Sequence, residues 1–88
     1  MSNYSTSANM ASDLIFQFIK ARMKEKKITQ EELSDRIGID KSTLIRNFQK
    51  KTEMSLSTYL KICGALELRP YLVPAEIDTS KFEFLHFN

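Results

Sequence analysis

The sequence predicts a small all-α bundle of four to five helices, followed by a short C-terminal β-strand. Three observations predict it. Apolar side chains recur at three- and four-residue spacing through most of residues 12–68, the period of an amphipathic helix. Ser12, Thr29, Asp40 and Ser55, all suited to capping a helix N-terminus, stand just ahead of those periodic segments. Pro70 and Pro74 then bracket an apolar run that a helix could not traverse.

The chain has 88 residues, enough for one small domain and not for two. A domain of this size buries only about 60–65% of the surface its unfolded chain exposes, so its core is thin and self-association would help it. The apolar fraction of 42% is too high for a disordered chain. A single Cys excludes an internal disulfide framework, and a single His excludes a Cys/His metal cluster or a Ser-His-Asp triad in the folded region. A small binding domain without cofactor is therefore expected, and not an enzyme. No run approaches the length of a membrane span, and the first residues lack the basic start and apolar run of a signal peptide. A cytoplasmic location is the corresponding expectation.

In chain order, residues 1–11 show no periodicity and are expected to form a flexible arm. Ser12 would cap a first helix, with Leu14, Ile15, Phe18, Ile19, Arg22 and Met23 on its inner face and Arg22 as the polar intruder. Lys24 to Lys27 suit its negative end. Thr29-Gln30-Glu31-Glu32 is a capping box, in which the Thr29 hydroxyl accepts from the Glu32 amide and the Glu32 carboxylate reaches back. Leu33 and Ile37 face inward on the short helix that follows, and Gly38 stops it in a left-handed turn. Asp40 caps a third helix, Lys41 to about Gln49, with Leu44, Ile45 and Phe48 as its apolar side. Lys50 to Met54 read as a loop. Ser55 caps a fourth helix, with Leu56, Tyr59, Leu60, Cys63 and Leu66 on one face and Gly64 marking a close backbone approach. Residues 12–68 thus make the domain, and residues 69–88 a strand and an aromatic tail.

Charge concentrates in the middle. Residues 20–51 hold ten basic and five acidic side chains, while the segments on either side are mildly acidic. That distribution suits a polyanion-binding face. Two short helices joined through Gly38 are a helix-turn-helix signal. On the second of them Ser42, Thr43, Arg46 and Asn47 form one polar stripe. These residue types match a major groove: Arg pairs bidentately with guanine, Asn with adenine, and the Thr methyl meets the thymine methyl. Lys41, Lys50 and Lys51 stand where phosphates would run.

The run Ile28 to Leu68 resembles the lambda-repressor/Cro type of helix-turn-helix, the XRE family. The resemblance rests on Thr29-Gln30-Glu31-Glu32-Leu33, Ile37-Gly38-Ile39, Ser42-Thr43-Leu44, and a final helix opening Ser55-Leu56 and closing Leu66-Glu67-Leu68. It implies a lambda-repressor-like bundle that binds double-stranded DNA, usually as a homodimer. It also implies that Gln30 contacts a phosphate and that Lys41, Ser42, Thr43, Arg46 and Asn47 face the groove. The chain departs from the family pattern in three places. Ser34 stands for the usual Ala at the contact between the two helices. Phe48 and Lys50 stand where Glu and Gly are common. Asn47 stands where an apolar residue is common, which offers Phe48 as the alternative core anchor.

The segment Thr58 to Cys63, then Leu66-Glu67-Leu68 and Arg69-Pro70-Tyr71-Leu72-Val73, resembles HipB-like antitoxins, in which a strand after the last helix pairs across a dimer. A lone strand bearing Tyr71, Leu72 and Val73 would leave backbone groups unpaired, and a two-fold partner would satisfy them. Phe82, Phe84 and Phe87 lie within six residues, each gaining roughly 1.5–3 kcal/mol from full burial. They are expected to fold back onto the bundle or to dock on a partner. Cys63 reads as a buried structural thiol and His86 as surface packing. Two functions follow as expectations: a sequence-specific repressor that occludes an inverted-repeat operator, or an antitoxin that captures a toxin protein and autoregulates its operon.

Overall fold

The computed structural model describes residues 3–74, which form four α-helices: α1 (Asn3–Lys26), α2 (Gln30–Ile37), α3 (Lys41–Phe48) and α4 (Leu56–Ala65). The all-α, lambda-repressor-like bundle is the one expected. The core joins Ile19 and Met23 of α1, Ile28, Leu33 of α2, Leu44 and Phe48 of α3, and Ile62 and Leu66 at the end of α4. α2 packs against both α3 and α4.

α1 corrects the sequence reading twice. It starts at Asn3, so the expected arm supplies helical turns and Ser12 lies inside the helix, half-buried, instead of capping it. Residues 4–11 hold neither Gly nor Pro to stop the helix and include the good helix formers Ala8, Met10 and Ala11. The inner face is also turned. Leu14 and Phe18 are 64% and 62% exposed, while Phe16 packs on the core. The cause is Phe48: its ring meets Phe16 edge-on, centroids 5.5 Å apart. Arg22 is no intruder, because its Nε donates to the Leu66 carbonyl at 2.9 Å and satisfies an orphan group at the end of α4. Lys26 pairs with Glu67 beside it.

α2 opens on the expected capping box: the Glu32 amide donates to Thr29 Oγ1 at 3.1 Å, and the Thr29 amide to the Glu32 carboxylate at 3.2 Å. Ser34 is buried, with its hydroxyl donating to the Glu31 carbonyl at 2.7 Å, so Ser fits the place of Ala without an unsatisfied group. Gly38 ends the helix at φ 71°.

α4 begins after Ser55, whose hydroxyl accepts from the Thr58 amide at 3.1 Å. Its inner face keeps the expected Cys63 and Leu66, with Tyr59 half-buried against the core, but takes Thr58 and Ile62 in place of Leu56, which is 71% exposed, and Leu60, which is exposed as well. Thr58 can turn inward because its hydroxyl bonds to Ser55 Oγ at 2.9 Å. Gly64 marks no close approach, since a Cβ built there would meet nothing within 4 Å. Residues 69–74 take no strand pairing, and no strand occurs among the described residues. Tyr71, Leu72 and Val73 stand exposed. Phe82, Phe84, Phe87 and His86 lie outside the described residues.

Candidate nucleic-acid interface

The candidate interface is the outer edge of α2 and α3 around the Gly38 turn. Two locks fix the pose of α3. On its inner side Leu44 and Phe48 are buried in the core. At its N-terminus the Asp40 carboxylate accepts from the Ser42 amide at 3.2 Å, the Thr43 amide at 3.4 Å and the Ser42 hydroxyl. Those bonds, the Ser42 hydroxyl foremost, hold the Asp40 carboxyl below its ordinary range.

With α3 so held, Lys41, Ser42 and Arg46 are exposed along its outer edge, and Thr43 is half-buried beside them. Gln30 is half-buried at the first position of α2. Lys41 pairs with Glu31, which lowers the Glu31 carboxyl from its ordinary range and raises the Lys41 ammonium. One acid of α2 therefore stands beside a cation of the candidate contact set.

Asn47 departs from the stripe. It is 4% exposed, and its Nδ2 donates to Thr52 Oγ1 at 2.9 Å and more distantly to the Thr52 and Glu53 carbonyls. The amide expected to meet adenine closes the loop after α3 in this structure, set back from the edge that Ser42 and Arg46 present. Phe48 is the core anchor instead. Sequence pattern missed this because the partner, Thr52, lies in a segment with no periodicity.

Lys50 follows α3 at φ 61°, a left-handed residue in the place where the family commonly has Gly. The turn is closed by the Lys50 amide to the Asn47 carbonyl at 3.1 Å and the Lys51 amide to the Arg46 carbonyl at 3.0 Å. The Lys50 ammonium pairs with Asp13 of α1 and lies 5.8 Å from the Phe16 ring centre. Lys50 is thus half structural, a role that spacing alone did not reveal. Lys51 is exposed next to it.

No group of His, Cys, Asp and Glu suited to a metal occurs among the described residues, and no described helix is long and apolar enough to cross a membrane. The profile of the Cro/C1-type HTH DNA-binding domain matches residues 19–71, the span from the last third of α1 to the segment after α4. The chain belongs to that family. No curated protein and no solved structure matches it significantly. The Cro/C1-type assignment makes the edge of α2 and α3 part of a DNA-binding domain. It also leaves residues 3–18, the first two thirds of α1, ahead of the matched span.

Proposed function

We propose that this Cro/C1-type protein is a sequence-specific repressor that binds an inverted-repeat operator as a homodimer and acts by occlusion. One observation carries the reading: Ser42 and Arg46 are exposed on a short helix whose opposite face, Leu44 and Phe48, is locked into the core. A rigidly held helix with Arg and Ser outward suits direct readout of base edges. Arg46 would pair with guanine, Ser42 and Thr43 would contact bases or sugar edges, and Gln30, Lys41, Lys50 and Lys51 would lie along phosphates. Two copies would set their α3 helices in successive major grooves about 34 Å apart.

Selection of sites from a random duplex library, with purified protein at physiological salt, tests this. An enriched inverted repeat with half-sites one helical turn apart supports it. Salt-sensitive binding to every sequence alike would reduce α3 to a nonspecific contact. The exposed Tyr71-Leu72-Val73 segment favours a second reading, capture of a toxin protein through the C-terminal region. A second protein that co-purifies with the chain from its host, and is lost on removing residues 71–88, supports that reading.

A further inference from the structure

α1 carries a second stripe, of apolar and small side chains, that lies outside the core. The core takes Phe16, Ile19 and Met23. On another side of the helix stand Ser7, Ala11, Leu14, Phe18 and Ala21, all exposed and spaced alternately four and three residues apart. Tyr4 continues the same spacing one step earlier. That alternation is the seam of a helix pair, narrower than the broad stripe a helix turns to a globular core. The occupant it fits is another helix. We propose that a second copy of this chain docks along α1, antiparallel to it.

The residue sizes select the direction. About a two-fold axis between residues 12 and 13, Ala11 faces the partner's Leu14, and Ser7 faces the partner's Phe18. Every large side chain then meets a small one, the interdigitation that fills an interface without voids. Parallel pairing would set Phe18 on Phe18 and Leu14 on Leu14, with layers of paired Ala or paired Ser between them. The antiparallel register also brings no like charges together across its inner layers: Met10 lies beside the partner's Gln17, and Ala8 beside the partner's Ile15. The Ala8 edge is continuous with an apolar groove lined by Ala8, Ala11, Ile15, Leu56 and Tyr59, between α1 and the start of α4. The partner's Ile15 therefore faces that groove, and the contact extends to the exposed Leu56. Such a contact is isologous and closes at two copies.

This interface deepens the dimeric reading above and rests on it, but it is tested without DNA, so the operator reading can fail separately. Single-cysteine chains Ser7→Cys and Phe18→Cys are made in a Cys63→Ala background, since Cys63 is a buried free thiol. Circular dichroism checks their fold. Oxidising the two chains as a mixture is expected to give a covalent dimer. Either chain alone is expected to give none, because its two thiols lie about 16 Å apart along the seam. Cross-linking of Phe18→Cys with itself would mean parallel pairing and overturn the register. In sedimentation the parent chain is expected as a dimer, and Leu14→Glu as a folded monomer. A parent monomer at every concentration, or a dimer that Leu14→Glu leaves intact, would overturn the interface.

Discussion

The side-chain amide of Asn47 donates to Thr52 Oγ1 at 2.9 Å, so the end of α3 is stapled to the loop that leads into α4. Asn47 is buried, whereas Thr52 is exposed and can turn to water if the amide is removed. Asn47→Ala is expected to lower stability by about 1–2 kcal/mol, the net loss of a buried hydrogen-bonding side chain. Urea unfolding measures it. Base preference should survive the substitution at temperatures where the variant is folded. A variant of unchanged stability with altered base preference would return Asn47 to the groove.

Arg46 presents the opposite profile. It is exposed on α3 and makes no contribution to the core cluster. Arg46→Ala should therefore leave the unfolding midpoint nearly unchanged and relax discrimination at one base pair of each half-site. The expected penalty on the preferred site is about 1–3 kcal/mol per half-site. Competition binding with a panel of single-base operator variants reads it. Equal losses on every sequence would make Arg46 a phosphate contact only.

Gly38 and Lys50 sit at φ 71° and 61°, and one is glycine while the other is not. A Cβ at Gly38 meets no atom within 4 Å, so the cost of Gly38→Ala is the left-handed conformation itself, about 1–2 kcal/mol. At Lys50 the same cost is already carried by the native residue. Lys50→Gly is expected to be more stable than Lys50→Ala by about 1 kcal/mol, since both lose the Asp13 pair and only Gly loses the strain. Thermal melts of the three variants check both signs.

The helix-turn-helix was legible because its signals are local. Thr29 with Glu32, Gly38, and Asp40 with Thr43 fix two helices and a turn within fifteen positions, and each contact spans four residues or fewer. The facing of α1 was not legible. Its residues contain two stripes of similar period, and the choice between Phe16 and Phe18 is made by Phe48, distant in sequence. α4 misleads for a related reason: Leu56 and Leu60 look more apolar than Thr58, but Thr58 has a hydroxyl partner in Ser55 and Ile62 leads the helix inward. Asn47 was read as outward because it is polar, and only the loop conformation supplies the partner that lets it be buried.

Glu31 stands beside Lys41 on the candidate interface, and the pair lowers the Glu31 carboxyl from its ordinary range. Its negative charge both occupies Lys41 and repels phosphate. Glu31→Gln is expected to tighten DNA binding and to steepen the dependence of log affinity on log salt. The slope should grow by about 0.9, the share of one further phosphate contact. Titrations at four salt concentrations measure it. An unchanged slope would place Lys41 away from the phosphates. Because Glu31 is exposed, little change in stability is expected.

Asp40 makes stability depend on acid in a predictable direction. In the folded chain its carboxylate accepts from the Ser42 hydroxyl and from the Thr43 and Ser42 amides, and its carboxyl is held below the ordinary 3.8. Folding therefore favours the ionised form. The stability this contributes is fully present above the unfolded value and is lost as pH falls through the lower folded value. Asn also caps helices well but does not titrate. The parent chain should be more stable than Asp40→Asn at pH 7, and the gap should narrow below about pH 4. Taking the difference between the two chains removes the parallel acid response of Glu31 and Glu67, which are also lowered by their lysine partners. Urea unfolding of both proteins from pH 7 to pH 3 supplies the comparison. A gap that stays constant across that range would mean that hydrogen bonding by the cap, and not its charge, holds the start of α3.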